Sequence, residues 1–429
     1  MGRIISLDKN MINMIAAGEV IERPANVVKE LMENSLDADA TRIEIETEEG
    51  GKGRIRVRDN GVGIPSDEVV MAFRRHATSK LETTDDLEKI TTLGFRGEAL
   101  SSIASVSRLT CTTRHRDEPT GTHIRLEGGQ VVSQRTAGRP PGTEILIEDL
   151  FYNVPARRKF LRTERTERRH IDSFLTRYAI AYPGVAFQVH HDGREVLLTS
   201  GNDRAKEVLI NVYGMELGGN LLEIPTSLSE GRTIRVRGFV GPPTVHRANR
   251  GYITIFVNGR WIENTVRLNY AVIQAYHTLL PVKRYPVAFV LIDLPLEDVD
   301  VNVHPTTAEV RFRDGDAVFR AVQRAVRATV IQESPSAASF EQSSPGTDAE
   351  SRPDTQGDTQ KNRARLRQIQ PREQQFRLPE QQMTIGSMDE DTPGSPAKSQ
   401  VGSQLPPLRI LGQAATMFII AEGPDGLYL

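Results

Sequence analysis

Three short segments, in a fixed order near the start of the chain, constrain its fold more than any other feature. The first is a helical segment that contains Glu30 and Asn34, and the second is the turn Asp59–Gly63. The third is the glycine loop Gly94–Leu100, with the sequence Gly-Phe-Arg-Gly-Glu-Ala-Leu. Each segment by itself is weak evidence. In this order they predict one compact domain that brings an acid, an amide, a second carboxylate and a glycine loop to a single pocket.

The first segment has the pattern of an amphipathic helix. Pro24 suits the first turn of a helix, where a missing N–H costs nothing. Glu30 and Asn34 are four residues apart and share a neighbouring face of the helix. The apolar stripe at helical spacing consists of Val27, Val28, Leu31 and Met32. A solvated polar face is the alternative, and the segments that follow favour a site.

Two alternating runs after this helix predict a β-hairpin that leads to the second segment. The runs are Arg42–Thr47 and Arg54–Arg58, joined by a glycine-rich turn. The second strand ends at Asp59, and Gly61 and Gly63 let a flat ligand approach the backbone closely. An ordinary turn is the alternative for Asp-Asn-Gly. The position of Asp59–Gly63 after a helix and a hairpin favours a pocket over an ordinary turn.

The side chains of this pocket suit a magnesium–nucleotide complex. Mg²⁺ prefers oxygen ligands, keeps water, and takes few protein groups, so the Asn34 amide oxygen is sufficient as a candidate ligand. Glu30 can accept a proton from the water that attacks the γ-phosphate. Asp59 can accept a hydrogen bond from the exocyclic amine of adenine, which would select ATP over GTP. Thr143, at the start of a later strand, can complete the adenine pocket.

The third segment predicts a phosphate-binding loop that leads into a helix. Its free backbone N–H groups and the helix dipole favour an anion. The chain has no Walker A loop of the form GxxxxGK[ST]. Lys80 lies in a segment that we interpret as a mobile lid, able to reach phosphate when closed, with an ordinary surface loop as the alternative. The candidate loop residues are Gly94, Phe95, Arg96, Gly97, Glu98, Ala99 and Leu100.

Seven segments of the chain resemble the MutL family of DNA mismatch-repair proteins. In order they are IAAGEVIERPANVVKELMENSLDA, RDNGVGI, RHATSK, LGFRGEALSSIASVS, DLFYNVPARRKFL, FVNGRWI and DVNVHP, and they extend over residues 15–305. The family belongs to an ATPase superfamily shared with gyrase B, heat-shock-type chaperones and histidine kinases. The resemblance implies an α+β fold, in which a two-layer α/β sandwich ATPase domain precedes a smaller ribosomal-protein-like α/β domain.

The resemblance also implies roles for individual residues. Glu30 would be the general base, Asn34 the magnesium ligand and Asp59 the adenine reader. ATP would close two N-terminal domains into a homodimeric clamp around DNA, using the arm before the catalytic helix, about Met1–Glu22. One position departs from the family: a lysine that approaches the γ-phosphate is replaced by Thr307. A threonine can donate one hydrogen bond but cannot neutralise charge, which puts turnover and coupling to the second domain in doubt.

Length and composition predict several domains. The chain has 429 residues, of which 38% are hydrophobic, enough for two or three domains with sizeable cores. We expect an ATP-binding domain over 1–205, a second, transducer-like α/β domain over 206–331, and a disordered linker over 332–405. The linker is rich in Ser, Gln, Pro, Asp and Arg and has almost no apolar periodicity. Residues 406–429 resemble the truncated start of a C-terminal dimerisation domain.

The apolar runs, the N-terminus and the cysteine count indicate where in the cell the protein is located. No apolar run is long enough to span a bilayer, and the N-terminus lacks a signal-peptide pattern. Cys111 is the single cysteine, which excludes an internal disulfide and a multi-cysteine metal site. We expect no membrane partner and a cytoplasmic location, associated with the nucleoid if the organism is bacterial.

A DNA-binding surface must be local, because the formal net charge is −2. Candidate contacts are Arg157, Lys159 and Arg162, and Arg267 in the second domain. Arginine and lysine contacts to phosphates give affinity that is independent of sequence and depends strongly on salt. The acidic residues Glu164 and Glu167 are interspersed among the basic residues from Arg157 to Arg169, so a salt-bridged helix face is the alternative.

The leading functional prediction is an ATP-gated DNA clamp in mismatch repair with slow ATP hydrolysis. Its partners would be DNA, a second copy of the chain, a mismatch-recognition protein and downstream repair enzymes. The alternative, suggested by Thr307, is a nucleotide-switched interaction module with negligible turnover. A sensor kinase would need a phosphoacceptor-histidine helix, and a type II topoisomerase would need a cleavage domain; we expect neither. Whether the parent protein has an endonuclease site is open, because that family motif would lie beyond Leu429.

Overall fold

The computed structural model describes most of the first three quarters of the chain. The described residues are 17–18, 20–80, 90–94, 97–228, 234–263, 265–301 and 310–332, with the backbone of 409–414, 418–423 and 426–428. The chain divides into two compact units, residues 1–346 and 347–429. The predicted linker over 332–405 lies outside the described residues except for Gln332, and the boundaries at 205 and 331 stay predictions.

An eight-stranded sheet organises the first part of the larger unit, with strand order β5-β4-β3-β6-β2-β1-β7-β8. Neighbouring strands are antiparallel except β1 and β7, which run parallel. The strands are β1 (Arg42–Glu48), β2 (Arg54–Asp59), β3 (Arg108–Arg114), β4 (Gly121–Glu127), β5 (Gln130–Ala137), β6 (Gly142–Glu148), β7 (Ala186–His191) and β8 (Arg194–Leu198). The helices of this part are α1 (Pro24–Asp37), α2 (Val69–Ala72), α3 (Ala99–Ser105), α4 (Pro155–Phe160), α5 (Glu164–Ala181) and α6 (Ala205–Gly218).

The pattern of apolar residues explains why α1 and the first hairpin form. Pro24 occupies the first turn of α1, and the predicted apolar stripe is buried. Ile43 and Ile45 point into the same core from β1, and Ile45 pairs with Val57 of β2. Helix α1 packs against α5 and β2. The predicted helix and hairpin are therefore confirmed, and the hairpin ends at the residue proposed to bind the base, Asp59.

A five-stranded sheet with order β13-β12-β15-β10-β9 forms the second part of the larger unit. Its strands are β9 (Leu222–Leu228), β10 (Arg235–Val240), β12 (Ile253–Val257), β13 (Arg260–Trp261) and β15 (Ala288–Asp293). Two short strand pairs flank it: β11 (His246–Arg247) with β14 (Tyr285–Pro286), and β16 (Val299–Asp300) with β17 (Arg311–Phe312). Helices α7 (Val266–Ala275) and α8 (Gly315–Gln332) pack against each other and share a second hydrophobic core with this sheet.

Helix α7 is shorter than its apolar pattern suggests. The sequence predicts a helix over Leu268–Leu280, whereas the structure ends it at Ala275. The hydroxyl of Tyr276 donates a hydrogen bond to the Gly241 carbonyl oxygen, and Thr278 has a φ of 71°. A threonine in the left-handed region cannot continue a right-handed helix. A tertiary contact therefore overrides the local pattern.

The smaller unit contains a three-stranded antiparallel sheet near the end of the chain. Its strands are β18 (Arg409–Ala414), β19 (Phe418–Gly423) and β20 (Gly426–Tyr428). The strand-like alternation of the sequence over 406–429 predicts β-strands, and these three strands confirm that pattern. The mixed architecture as a whole confirms the predicted α+β class. Within the described residues, no helix is both long and apolar enough to cross a membrane.

Candidate active site

A cavity of about 820 Å³ collects most of the residues singled out from the sequence. It lies against α1, the turn after β2, the start of β6 and the segment that leads into α3. The predicted residues that line it are Glu30, Asn34, Asp59, Gly63, Lys80, Gly94, Gly97, Glu98, Ala99, Leu100 and Thr143. Gly61 reaches the site through its N–H group, while Phe95, Arg96 and Thr307 lie outside the described residues.

Asp59 anchors one end of the cavity. Its Oδ1 accepts hydrogen bonds from the backbone N–H of Gly61 at 2.9 Å and of Thr143 at 3.1 Å. Its Oδ2 accepts one from Ser35 Oγ at 3.0 Å. Burial raises the pKa of Asp59, and these three donors oppose that shift. The carboxylate is thus held in one orientation at the inner end of a pocket that also has apolar walls.

Glycines in this region let backbone segments approach one another. Gly63 has a φ of 76°, and a side chain there would collide with the Arg114 carbonyl group. Gly97 has a φ of 64°, and a side chain there would collide with the carbonyl group of Ala77. Since non-glycine residues rarely adopt such φ values, both glycines are required by the path of the chain.

At the opposite end of the cavity, side-chain oxygens of Asn34 and Asp37 surround the ammonium group of Lys80. Lys80 Nζ lies 2.9 Å from Asn34 Oδ1 and 2.6 Å from Asp37 Oδ2. Asp37 also accepts hydrogen bonds from the N–H groups of Leu93 at 2.7 Å and Gly94 at 3.0 Å. Asp37 was not among the residues predicted to form the site, although it lies one turn from Asn34 on the same helix. Asp37 fixes the start of the glycine loop beside the candidate metal ligand.

These atoms fit a hydrated magnesium ion bound mainly through phosphates. The Asn34 and Asp37 oxygens already hold the positive charge of the Lys80 ammonium group, which stands where a cation would be favourable. No cluster of three or more His, Cys, Asp or Glu side chains suited to a metal occurs among the described residues. A magnesium ion with one or two protein ligands needs no such cluster, because water and phosphate complete its octahedron.

Glu30 lies beside a network of charged groups that the sequence analysis did not identify. Lys29 Nζ is 3.2 Å from Glu30 Oε1 and 2.9 Å from Glu33 Oε2. Burial lowers the pKa of Lys29, but Glu30 and Glu33 outweigh burial and hold that pKa above its ordinary value. Burial raises the pKa of Glu33, while Lys29 and the hydroxyl of Tyr178 counteract it. The spacing of Lys29 and Glu33 by four residues was the available signal.

The second part of the larger unit also contributes to the cavity wall. Arg260, Trp261, Glu263 and Val301 line it. Arg260 Nη2 donates a hydrogen bond of 2.9 Å to the carbonyl of Thr92, two residues before Gly94. The start of the glycine loop therefore contacts both α1, through Asp37, and the second sheet, through Arg260 of β13. These contacts join residues far apart in sequence, so no local pattern could reveal them.

Comparison with known proteins fits this geometry. Residues 22–145 match the family model for histidine kinase-, DNA gyrase B-, and HSP90-like ATPases. Residues 209–330 match the model for the C-terminal domain of DNA mismatch repair proteins. The DNA mismatch repair protein MutL of Geobacillus sp. (strain WCH70) is 40% identical over 460 residues, covering all of this chain and 73% of that protein. The chain belongs to the MutL family.

Further matches support the same MutL assignment. MutL of Halothermothrix orenii is 47% identical over 326 residues, which cover 76% of this chain and 50% of that protein. A solved N-terminal domain of a DNA repair protein superposes with a TM-score of 0.63 at 26% identity, covering 75% of this chain and 98% of the other. The chain spans between half and three quarters of these MutL relatives. The resemblance found in the sequence is confirmed, and the chain carries an ATPase domain.

The arginines predicted to contact DNA have different surroundings. Arg267 is exposed and forms an ion pair with Asp316. The guanidinium of Arg157 packs over Gly18, where a side chain would collide with it. Lys159 and Arg162 are exposed at and just after the end of α4. These four residues therefore lie in two separate parts of the chain, and Asp316 partly neutralises the charge of Arg267.

A basic area formed by α8 and the segment that follows α7, hereafter the α7–α8 cationic surface, was missed. His277, Arg324 and Arg327 line one cavity there, and the exposed Lys283, Arg284 and Arg320 lie close to them in sequence. A shallow cavity of about 760 Å³ lies among His277, Arg324 and Arg327. Arg327 Nη1 donates to the carbonyls of Ala275 and His277 at 3.0 and 2.9 Å. Within the described residues, no carboxylate forms an ion pair with these arginines and this lysine. The signal in the sequence was the lack of Asp and Glu over 264–292 and 317–332.

Proposed function

We propose that this chain binds ATP with Mg²⁺ in the α1 cavity and hydrolyses it slowly. The observation that carries the proposal is the convergence on one cavity of Glu30, Asn34 and Asp59, which come from two separate segments, with the glycine loop opposite. Asp59 accepts a hydrogen bond from the adenine amine, and Thr143 closes the pocket beside it. Glu30 accepts the proton of the attacking water.

The phosphates are bound by groups at the other end of the cavity. Asn34 would be the protein ligand of Mg²⁺, and the ion would neutralise charge on the triphosphate. When ATP binds, the Lys80 ammonium group leaves the oxygens of Asn34 and Asp37 and moves to the γ-phosphate. Phosphate oxygens can replace these two oxygens as its hydrogen-bond acceptors. The backbone of Gly94–Leu100 surrounds the remaining phosphate oxygens. Phosphoryl transfer needs chiefly such positioning and electrostatic stabilisation.

ATP binding couples to assembly on DNA in this proposal. Two copies associate through the arm at about Met1–Glu22, most of which lies outside the described residues, and enclose DNA in the cytoplasm or on the nucleoid. Arg157, Lys159, Arg162 and Arg267 contact phosphates, and the α7–α8 cationic surface extends the basic area. Phosphate contacts carry no sequence information. Recognition of the mismatch therefore belongs to a partner protein, and downstream repair enzymes act after it.

Phosphate release by the purified chain, with and without Mg²⁺ and with and without DNA, tests the proposal. We expect slow release that requires Mg²⁺ and prefers ATP to GTP. Asn34→Ala should lose both binding and hydrolysis, because the triphosphate enters as its magnesium complex. Tight ATP binding with no measurable release would support the alternative, a nucleotide-switched interaction module. Absence of ATP binding would contradict both.

A further inference from the structure

A continuous series of polar contacts extends from Glu30 into the protein interior. Lys29 Nζ bridges Glu30 Oε1 at 3.2 Å and Glu33 Oε2 at 2.9 Å. The hydroxyl of Tyr178, on α5, donates a hydrogen bond to the other oxygen of Glu33. Glu33 is only 2% exposed and Tyr178 is fully buried. Lys29 is therefore fixed at one side by a buried carboxylate and contacts the candidate base at the other.

Stability alone does not account for this arrangement. Transferring two charged groups into the protein is costly, and well-packed apolar residues in their place are often equally stable or more so. Glu33 belongs to α1 and is buried where α1 packs against α5. A polar network that is fully hydrogen-bonded does, however, fix side chains in one geometry.

The network also contacts the second sheet. The Tyr178 ring lies edge-on to Phe256 of β12 with centroids 5.5 Å apart, and it stacks on Tyr182 at 6.0 Å. The hydroxyl of Tyr182 donates a hydrogen bond of 2.7 Å to the carbonyl of Gly259, in the turn between β12 and β13. The inner end of the network is thus packed between the C-terminal end of α5 and the second sheet.

We propose that Lys29, Glu33 and Tyr178 are positioning residues that hold the Glu30 carboxylate in the orientation needed to accept a proton from water. This inference rests on the proposed ATPase function and on Glu30 as its base. Lys29 holds Oε1 of Glu30, which leaves Oε2 for the water molecule. Glu33 and Tyr178 hold Lys29. A base acts only within hydrogen-bonding reach of the proton it accepts, and small displacements are costly in rate.

The test compares kcat with nucleotide affinity in single variants. Lys29→Met should lower kcat about tenfold or more, since positioning errors near 1 Å cost up to about a hundredfold. Its Kd for a non-hydrolysable ATP analogue should change less than about twofold, because Lys29 contacts Glu30 rather than the nucleotide in this account. Lys29→Arg should restore most of kcat, as a guanidinium can bridge both carboxylates. Tyr178→Phe, which keeps the ring, should lower kcat by a smaller factor.

A double variant shows whether Lys29 acts through Glu30. In a Glu30→Ala background, Lys29→Met should cause no further loss of kcat. If Lys29→Met or Tyr178→Phe lowered the melting temperature while kcat stayed at the parent value, the role would be structural and the inference wrong. If Lys29→Met does not fold, the comparison of kcat with the melting temperature is made on Tyr178→Phe instead. A parent chain without ATPase activity would instead refute the proposed function.

Discussion

Asp59→Asn separates nucleotide recognition from folding. In the parent, Asp59 Oδ1 accepts from the N–H groups of Gly61 and Thr143, and Oδ2 accepts from Ser35 Oγ. The asparagine carbonyl can keep both backbone contacts, and its NH₂ group can donate to Ser35 Oγ. The serine hydrogen then turns fully to the Leu31 carbonyl, 3.0 Å away. The fold should therefore tolerate the substitution.

Binding should not tolerate it, because the new NH₂ group meets the adenine amine, and two donors cannot bond to each other. Loss of a hydrogen bond to a charged acceptor costs about 1.5–3 kcal/mol, or roughly 10- to 150-fold in affinity. Stability should change in the opposite direction. Burial raises the pKa of Asp59 above its unfolded value, so ionisation destabilises the fold as pH rises above about 4. Asparagine removes that penalty.

Calorimetry with ATP and GTP, together with thermal melts at pH 4 and pH 7, measures both effects. We expect weaker ATP binding and a reduced preference for ATP over GTP. We also expect the melting temperature of Asp59→Asn, relative to that of the parent, to be higher at pH 7 than at pH 4. Asp39→Asn is the control, since it removes the same charge at an exposed position next to the site. Parent-like ATP affinity in Asp59→Asn would refute the assignment, and so would a variant that weakens ATP and GTP equally.

Three further outcomes follow from the same structure. Lys80→Met should weaken ATP binding about tenfold more than ADP binding, by the typical strength of a charged hydrogen bond, whereas equal losses in calorimetry would exclude contact with the γ-phosphate. Deletion of residues 1–20 should leave the protein monomeric with an ATP analogue in sedimentation, and a persisting dimer would show that the arm is dispensable. Arg324→Glu should weaken binding to all DNA sequences and reduce the slope of log affinity against log salt concentration by about 1. The control Arg194→Glu, on the edge strand β8, should change neither. Identical slopes for the two variants would show that α8 does not contact DNA.

The first helix and hairpin were predictable because local patterns determine them. Pro24, the apolar stripe of α1 and the alternation of Ile43 and Ile45 all point to the structure that forms. Asp59 was predictable as a candidate for the same reason, since it ends a regular strand beside glycines. In these segments local propensity and tertiary packing agree.

Other parts depend on contacts between distant residues. Tyr178 reaches Glu33 across 145 positions, and Arg260 reaches Thr92 across 168. No pattern on one segment contains such information. The end of α7 was mispredicted because the hydroxyl of Tyr276 donates a hydrogen bond to the carbonyl of Gly241, which follows β10 and is distant in sequence. The roles of all the site residues stay predictions, and Phe95, Arg96 and Thr307 in addition lie outside the described residues.

Comparison of Glu30→Ala with the parent chain tests the central claim most directly. Binding of a non-hydrolysable ATP analogue and phosphate release from Mg²⁺–ATP are measured on the same samples. The account predicts that analogue affinity is retained while release falls by about 10²- to 10⁴-fold, the usual contribution of a general base. Hydrolysis at the parent rate by Glu30→Ala would contradict the assignment of Glu30 and with it the proposed mechanism.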